Sequence, residues 1–247
     1  MTDAGVCGCA TSRCVTPTKR LVITIDGPAG SGKSTLARAL AERLGYLFLD
    51  TGAIYRTVAL AALRAGRDWS DAIGVAAVAR DVVERRRLRF ERVEGGTQRV
   101  FLDGEDVSEG IRTPELSTGA STVSAHALVR DELLELQRAL AEAGGVVVEG
   151  RDTGTVVFPK AGLKFFMHAS PEERARRRCE ELRAKHLPVS FEHTLRDLNE
   201  RDKRDSERQA APLKRAEDAI DLDTTGVSIN DVLACMSEHA AGRSIAT

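Results

Sequence analysis

Aromatic side chains are scarce in this chain of 247 residues, which holds seven Phe, two Tyr and one Trp. A surface that grips single-stranded nucleic acid by stacking bases needs more of them. Neither sign of charge dominates: 36 Lys and Arg face 37 Asp and Glu, for a formal net charge of −1. Without a global basic field, an anionic ligand has to be met by local clusters of Lys and Arg, and no nucleic-acid partner is expected. Long apolar runs are missing too. Nothing approaches the roughly 20 residues that cross a bilayer, and the first 19 residues, MTDAGVCGCATSRCVTPTK, hold no apolar block of the secretory kind. A cytoplasmic protein with no membrane partner is expected. The five cysteines form no disulfide framework: Cys7, Cys9 and Cys14 sit in the leader, and Cys179 and Cys235 lie singly in helical patterns. The leader trio has no fourth ligand at zinc-like spacing, so residues 1–19 read as a disordered leader.

Five short apolar runs read as buried strands: Leu21 to Ile25, Tyr46 to Leu49, Val146 to Val148, Leu163 to Met167 and Ala219 to Leu222. Helical patterns separate them, at Ser34 to Leu44, Ala53 to Ala65, Val129 to Ala143, Glu172 to Lys185 and Leu195 to Gln209. This alternation predicts an α/β fold, a five-stranded parallel sheet with helices on both faces. One segment breaks it. Leu88 to Val93 and Gln98 to Leu102 are strand-like around Glu94-Gly95-Gly96-Thr97, which is antiparallel hairpin chemistry. The core is therefore assigned to residues 20–247, with 80–117 as an inserted subdomain and helix resuming near Val129.

The strongest motif is Gly27-Pro28-Ala29-Gly30-Ser31-Gly32-Lys33-Ser34, which follows an expected strand and opens an expected helix. Glycines let successive backbone N–H groups curl round a phosphate, and the helix aims its positive end at the same anion. Lys33 is placed to neutralise the terminal phosphates. The hydroxyl of Ser34 or of Thr35 is a candidate ligand for Mg²⁺.

In an open α/β sheet, ligands gather at the carboxyl ends of the strands. Here those ends are polar: Asp50-Thr51-Gly52-Ala53-Ile54-Tyr55-Arg56 follows the second strand and Glu149-Gly150-Arg151-Asp152 the third. Together with "ITIDGPAGSGKSTLA", "LDTGAIYR", "EDVSEGIRTPE", "EGRDTGTVVFP", "SPEERARRR" and "ERDKRDSERQAAPL", they make the chain resemble the bacterial cytidylate kinases, of the nucleoside monophosphate kinase family of P-loop kinases. The resemblance covers about residues 20–240.

It implies transfer of the γ-phosphoryl group of ATP to CMP or dCMP with Mg²⁺, by an enzyme expected to be a monomer. Thr51, Arg56 and Arg151 would hold the acceptor phosphate, beside Tyr55. Ser121, Arg130, Asp152 and Arg208 would read cytosine, while Arg201 and Asp205 would contact the sugar. Thr51 stands where the family often has Ser, and Ser34 where nucleoside monophosphate kinases commonly have Gly. The residues suit the base they are assigned: a carboxylate accepts from the exocyclic amino group, and guanidinium and hydroxyl donors serve N3 and O2. Uridylate, adenylate and shikimate-type kinases share the cradle but not the insert with Gly150-Arg151-Asp152.

The run Ser170-Pro171-Glu172-Glu173-Arg174-Ala175-Arg176-Arg177-Arg178 opens a helix with Pro in its first turn and then presents four arginines. The resemblance makes about 171–195 a mobile lid, with Arg174 and Arg177 stabilising the transferring phosphoryl group and Arg178 in support. Further on, "RDLNERDKRDSERQ" is expected to be helical. At 100° per residue Arg201, Asp205 and Arg208 would share one face, with Glu200, Lys203 and Glu207 turned to solvent.

Overall fold

The computed structural model describes residues 20–92 and 98–244. The expected disordered leader with its three cysteines and the turn at 94–97 lie outside the described residues. Strand β1 (Val22–Asp26) leads into α1 (Lys33–Leu44), which starts from Gly32 at φ 89° and stops at Gly45 at φ 64°. These left-handed positions let the chain turn sharply at both ends of the helix. Strand β2 (Leu47–Asp50) passes directly into α2 (Thr51–Arg64), capped by the Asp50 carboxylate, which accepts from Ala53 N at 3.0 Å. Helix α3 (Ala72–Glu84) follows, then β3 (Leu88–Arg92), β4 (Gln98–Leu102) and β5 (Glu105–Asp106). A 3₁₀ turn (Gly110–Arg112), α4 (Pro114–Val123) and α5 (Ala127–Ala139) return the chain to the core. There β6 (Val146–Gly150) runs into a π turn (Thr153–Val157), followed by β7 (Leu163–His168), α6 (Pro171–Ala184), α7 (Phe191–Glu207), β8 (Ile220–Asp223) and α8 (Ile229–Ser244).

Five strands form one parallel sheet in the order β2-β6-β1-β7-β8. All five residues of β6 are buried, as expected of a strand covered on both faces. On one face Ile23, Ile25, Phe165 and Met167 pack against Leu36, Leu40 and Met236 of α1 and α8. A second core joins α2, α3, α4 and α5 with the hairpin, around Ile54, Val75, Leu102, Ile111 and Leu133. Each such side chain contributes about 1.5–3 kcal/mol on removal from water. Strand order reverses at β1, so the loop after it opens into the crevice between diverging connections. Register then sets Asp26 beside Gly150, and Asp50 beside Glu149, in one row at the carboxyl edge.

The expected strands stand within a residue or two of their assigned ends, and the five-stranded parallel sheet is as the alternation predicts. Two helices go unmarked in the sequence reading, α3 and α4, while α8 is marked only by the helical pattern around Cys235. Gly74 and the β-branched Val75, Val78, Val82 and Val83 weaken α3 as a local helix former, yet it buries Val75, Ala76, Ala79 and Val82 on one face. Helix α3 extends to Glu84, so the antiparallel sheet β3-β4-β5 begins beyond the expected insert boundary at 80. Helix α4 carries legible start signals in Thr113, which caps Leu116 N at 3.1 Å, and Pro114, but its Ser, Thr and Gly content hides the helical period. Helix α5 begins at Ala127, before the expected start, and ends at Ala139, short of Ala143.

Helix α4 approaches Trp69 very closely. The indole Nε1 donates to Ala59 O at 2.9 Å, and His126 Nε2 donates to Trp69 O at 2.8 Å, fixing the ring in place. A Cβ added at Gly119 would lie 2.7 Å from ring atoms Cε2 and Cζ2. Gly119→Ala should therefore destabilise the protein by about 1–3 kcal/mol, an overpacking cost. Urea unfolding followed by tryptophan emission checks this; an unchanged midpoint would show that α4 can shift freely.

Candidate active site

Gly27 and Pro28 form the back of the glycine-rich loop. A Cβ at Gly27 would meet Met167 O at 1.9 Å, so no side chain fits there. Ala29, Gly30, Ser31, Gly32, Lys33, Ser34 and Thr35 line a cleft of about 780 Å³, large enough for two nucleotides. Lys33 is buried and its Nζ donates to Pro28 O at 2.5 Å and to Ser31 Oγ at 3.2 Å. Burial first, and then neighbouring Arg151, hold the ammonium pKa well below its usual range. Ser34 Oγ donates to Glu149 Oε1 at 2.7 Å.

Lys and Arg outnumber carboxylates along the cleft wall, giving a local positive field on a nearly neutral protein. At the carboxyl edge, Thr51 Oγ1 donates to Glu149 O at 2.7 Å, and the Arg56 guanidinium pairs with Asp50 at 2.6 Å. Burial pushes the Asp50 pKa up, but Arg56 and Arg112 outweigh it and hold the carboxylate below its usual value. Arg151 Nε donates to Asp205 Oδ2 at 2.9 Å. Arg201 faces other cations: burial, followed by the nearby Arg151, lowers its pKa to about 10. Buried polar atoms without a partner gather in this region, namely Arg56 Nε, Arg201 Nε, Glu149 Oε2 and Ser121 Oγ. Unpaired buried groups are costly, so their clustering marks where a polar ligand would supply the missing bonds.

Farther along the cleft, Asp152 sits between two guanidinium groups. One carboxylate oxygen pairs with Arg130, the other with Arg208 at 3.3 Å. Tyr55 backs the array, its ring 5.4 Å from the Arg130 Cζ. Ser124 O accepts from Arg130 at 3.2 Å, and Ser124 Oγ from Arg208 at 3.4 Å. The predicted base-reading residues Ser121, Arg130, Asp152 and Arg208 are thus brought together from α4, α5, the β6 loop and the end of α7.

Helix α7 ends at Glu207, and Arg208 has left it with ψ 139°. The expectation of one helical stripe through Arg201, Asp205 and Arg208 is corrected accordingly: two members share the helix face, and the third reaches Asp152 from the loop beyond. Helix α6 starts as expected, with Ser170 capping Glu173 N at 3.2 Å and Pro171 in the first turn. Arg177 lines the cleft and donates to Glu173 Oε1 at 2.8 Å, Thr224 O at 2.6 Å and Ser31 O at 3.3 Å. Arg178 lines it too, paired with Glu181 at 2.6 Å. Arg174 is placed differently from the expectation. It is buried behind the loop, where it donates to Ala169 O and Ala29 O at 3.1 Å and pairs with Asp202.

Several cleft residues have no assigned role in the sequence reading: Arg112, Ser124, Glu149 and the Thr224, Val227, Ile229 wall at the start of α8. Glu149 was legible as a carboxylate at a strand end. Ser124 and the α8 wall carry no local signal, since only tertiary packing brings them to the cleft.

Glu149 is buried, and its pKa is raised from 4.5 to about 7, first by burial and then by the nearby Asp50. Between those values the unfolded chain has released a proton that the folded chain still holds, so stability falls as pH rises from 4.5 to 7. The loss is about 3 kcal/mol once both states are ionised. Glu149→Gln does not titrate and should melt several degrees higher than the parent at pH 8, with nucleotide and metal absent, and no higher at pH 4.5. Equal melting temperatures at pH 8 would show that the ion is held without cost.

The family model described as "Cytidylate kinase" matches residues 23–241. A "Cytidylate kinase" of Geobacter sulfurreducens is 50% identical over 227 residues, covering 92% of this chain and 95% of that protein. One of Syntrophotalea carbinolica is 51% identical over 225 residues, covering 91% of this chain and 94% of the relative. A solved structure of an uncharacterized protein from Eubacterium ventriosum overlays with a TM-score of 0.51 at 12% identity, covering 90% of this chain and 99% of that one, which is a likeness of fold. With the phosphate loop, the polar strand ends and the arginine-rich helices in the positions described, this chain belongs to the cytidylate kinase family.

Proposed function

We propose that this kinase transfers the γ-phosphoryl group of ATP to CMP or dCMP, forming CDP or dCDP. The observation that carries the choice of acceptor is the Arg130-Asp152-Arg208 array, which with the unpartnered Ser121 hydroxyl lines the same cleft as the phosphate loop. The names of the relatives point the same way.

The backbone N–H groups of residues 29–35 and the start of α1 receive the triphosphate. Lys33 releases Pro28 O and turns to the terminal phosphates. The half-exposed Val227 and Ile229 offer an apolar wall to the donor base. The N-terminus of α2, Arg56, Arg151 and Arg201 hold the acceptor phosphate, and Asp205 faces the ribose. Because the attacking oxygen is already an anion, no strong general base is needed; the residues' task is to align two repelling anions and exclude water. Asp50 is fully used as a helix cap and a partner of Arg56, and takes no proton.

The Ser34 and Thr35 hydroxyls and Glu149, with one carboxylate oxygen lacking a partner, form an all-oxygen donor set that suits a hard cation. Held by these residues, Mg²⁺ would supply positive charge to offset the negative charge of phosphoryl transfer. Arg177, three residues beyond Arg174 on α6, is the cleft-facing guanidinium that would reach the transferring group. Arg174 instead positions the loop by holding Ala29 to α7.

An ADP-release assay with CMP, dCMP, UMP, AMP and shikimate tests the reading: CMP and dCMP should turn over best, and no turnover with CMP would overturn it. Asp152→Ala leaves no acceptor for the cytosine amino group and should cut the kcat/KM preference for CMP over UMP by at least about tenfold. Arg177→Ala should lower kcat far more than it raises the KM for CMP, since its contact strengthens as charge moves. The reverse split would place Arg177 in ground-state binding.

A further inference from the structure

Asp26, the last residue of β1, has no part in the chemistry above; it is 4% exposed, beneath the cleft at the carboxyl edge of the sheet, beside Gly150. Its Oδ1 accepts from Thr153 N at 2.9 Å and from Thr153 Oγ1 at 2.7 Å, and its Oδ2 accepts from Gly154 N at 2.7 Å. These donors belong to the two residues that follow Asp152. On the other side of Asp152, Gly150 is held in the sheet by pairing with Asp26 itself. The backbone of residues 150–154 is therefore pinned at both ends against one side chain and its own strand.

There is no slack in that segment. A Cβ at Gly150 would lie 2.5 Å from Thr153 Cγ2, and one at Gly154 would lie 2.8 Å from Thr24 Oγ1. Asp152 takes up the turn with φ −140° and ψ 20°, and it is in this conformation that its carboxylate meets Arg130 and Arg208. Two backbone N–H groups and a hydroxyl converge on position 26, and only a short side chain with two acceptor oxygens satisfies all three. Asn offers one acceptor and would set an N–H against an N–H. Burial pushes the Asp26 pKa up, while the bonds from Gly154 and Thr153 oppose the shift and favour the carboxylate.

We propose that Asp26 is a positioning residue for base selection, whose carboxylate fixes the 152–154 backbone so that Asp152 is aimed at the acceptor base. This rests on the reading of Asp152 as the reader of the cytosine amino group. It also places the base-reading turn and the phosphate loop on one strand end, since Gly27 follows Asp26 directly.

The test is steady-state kcat/KM for CMP and for UMP in Asp26→Asn, Thr153→Val and Asp152→Ala. Asp26→Asn should lower the CMP:UMP ratio about tenfold through a raised KM for CMP, with the KM for ATP held within about twofold. Thr153→Val keeps the side-chain shape, removes one donor, and should shift the ratio in the same direction by about threefold. A ratio unchanged in both variants, while Asp152→Ala collapses it, would overturn the proposal and leave Asp26 as support for the phosphate loop. A ratio unchanged in Asp152→Ala as well would overturn the reading of Asp152 and this proposal with it. Where Asp26→Asn does not fold, Thr153→Val decides alone.

Discussion

Desolvated guanidinium groups repel one another, and the site is organised by the buried carboxylates that hold them. Arg56 is paired with Asp50, Arg151 with Asp205, and Arg130 and Arg208 with the two oxygens of Asp152. Removing one carboxylate would strand a buried cation, which typically costs more than the pair contributes. The pairs therefore work as a frame for the positive field. Arg201 is the exception: burial first, and then the neighbouring Arg151, lower its pKa to about 10 against the opposing pull of Asp205. Its Nε also lacks a hydrogen-bond partner.

The glycine-rich loop is tied to the arginine-rich helices by bonds of the same kind. Arg174 ties Ala29 of the loop to Asp202 of α7, while Ala29, Ala175 and Leu198 pack together beneath it. Arg177 links α6 to Ser31 and to the segment after β8. The roots of the arginine-rich helices are thus bonded to the loop that receives the triphosphate.

The parallel sheet was legible because its strands are short continuous apolar runs, and the phosphate loop because its glycines, lysine and hydroxyl follow a strand and open a helix. Both signals are local. Helices α3 and α4 are stabilised by burial against α2 and α5 in spite of poor helix formers such as Gly74 and Gly119, and no window of sequence contains that contact. That Ser121, Arg130, Asp152 and Arg208 would line one cleft was legible only through resemblance, since they are scattered along the chain. Arg174 shows the limit of such reasoning. Spacing on α6 makes Arg174 and Arg177 near-equivalent, and only the packing of Ala29 over α6 buries one and leaves the other in the cleft.

The charged stretch at 196–209 divides along a physical boundary that composition conceals. Glu200, Lys203 and Glu207 are exposed, whereas Asp205 is buried and Arg201 nearly so. Burial pushes the Asp205 pKa up, but Arg151 and Arg201 outweigh it and keep the carboxylate charged. The helix then stops at Glu207, and Leu213 N returns to Asp205 O at 2.7 Å, folding the following loop back over the last turn. Were the helix to continue, Arg208 would follow the helical path instead of the loop that now carries its side chain to Asp152. Terminating the helix one residue before that arginine is what brings a third element to the Arg130-Asp152-Arg208 array, so the charge-dense run shapes the cleft through where it ends as much as through what it contains.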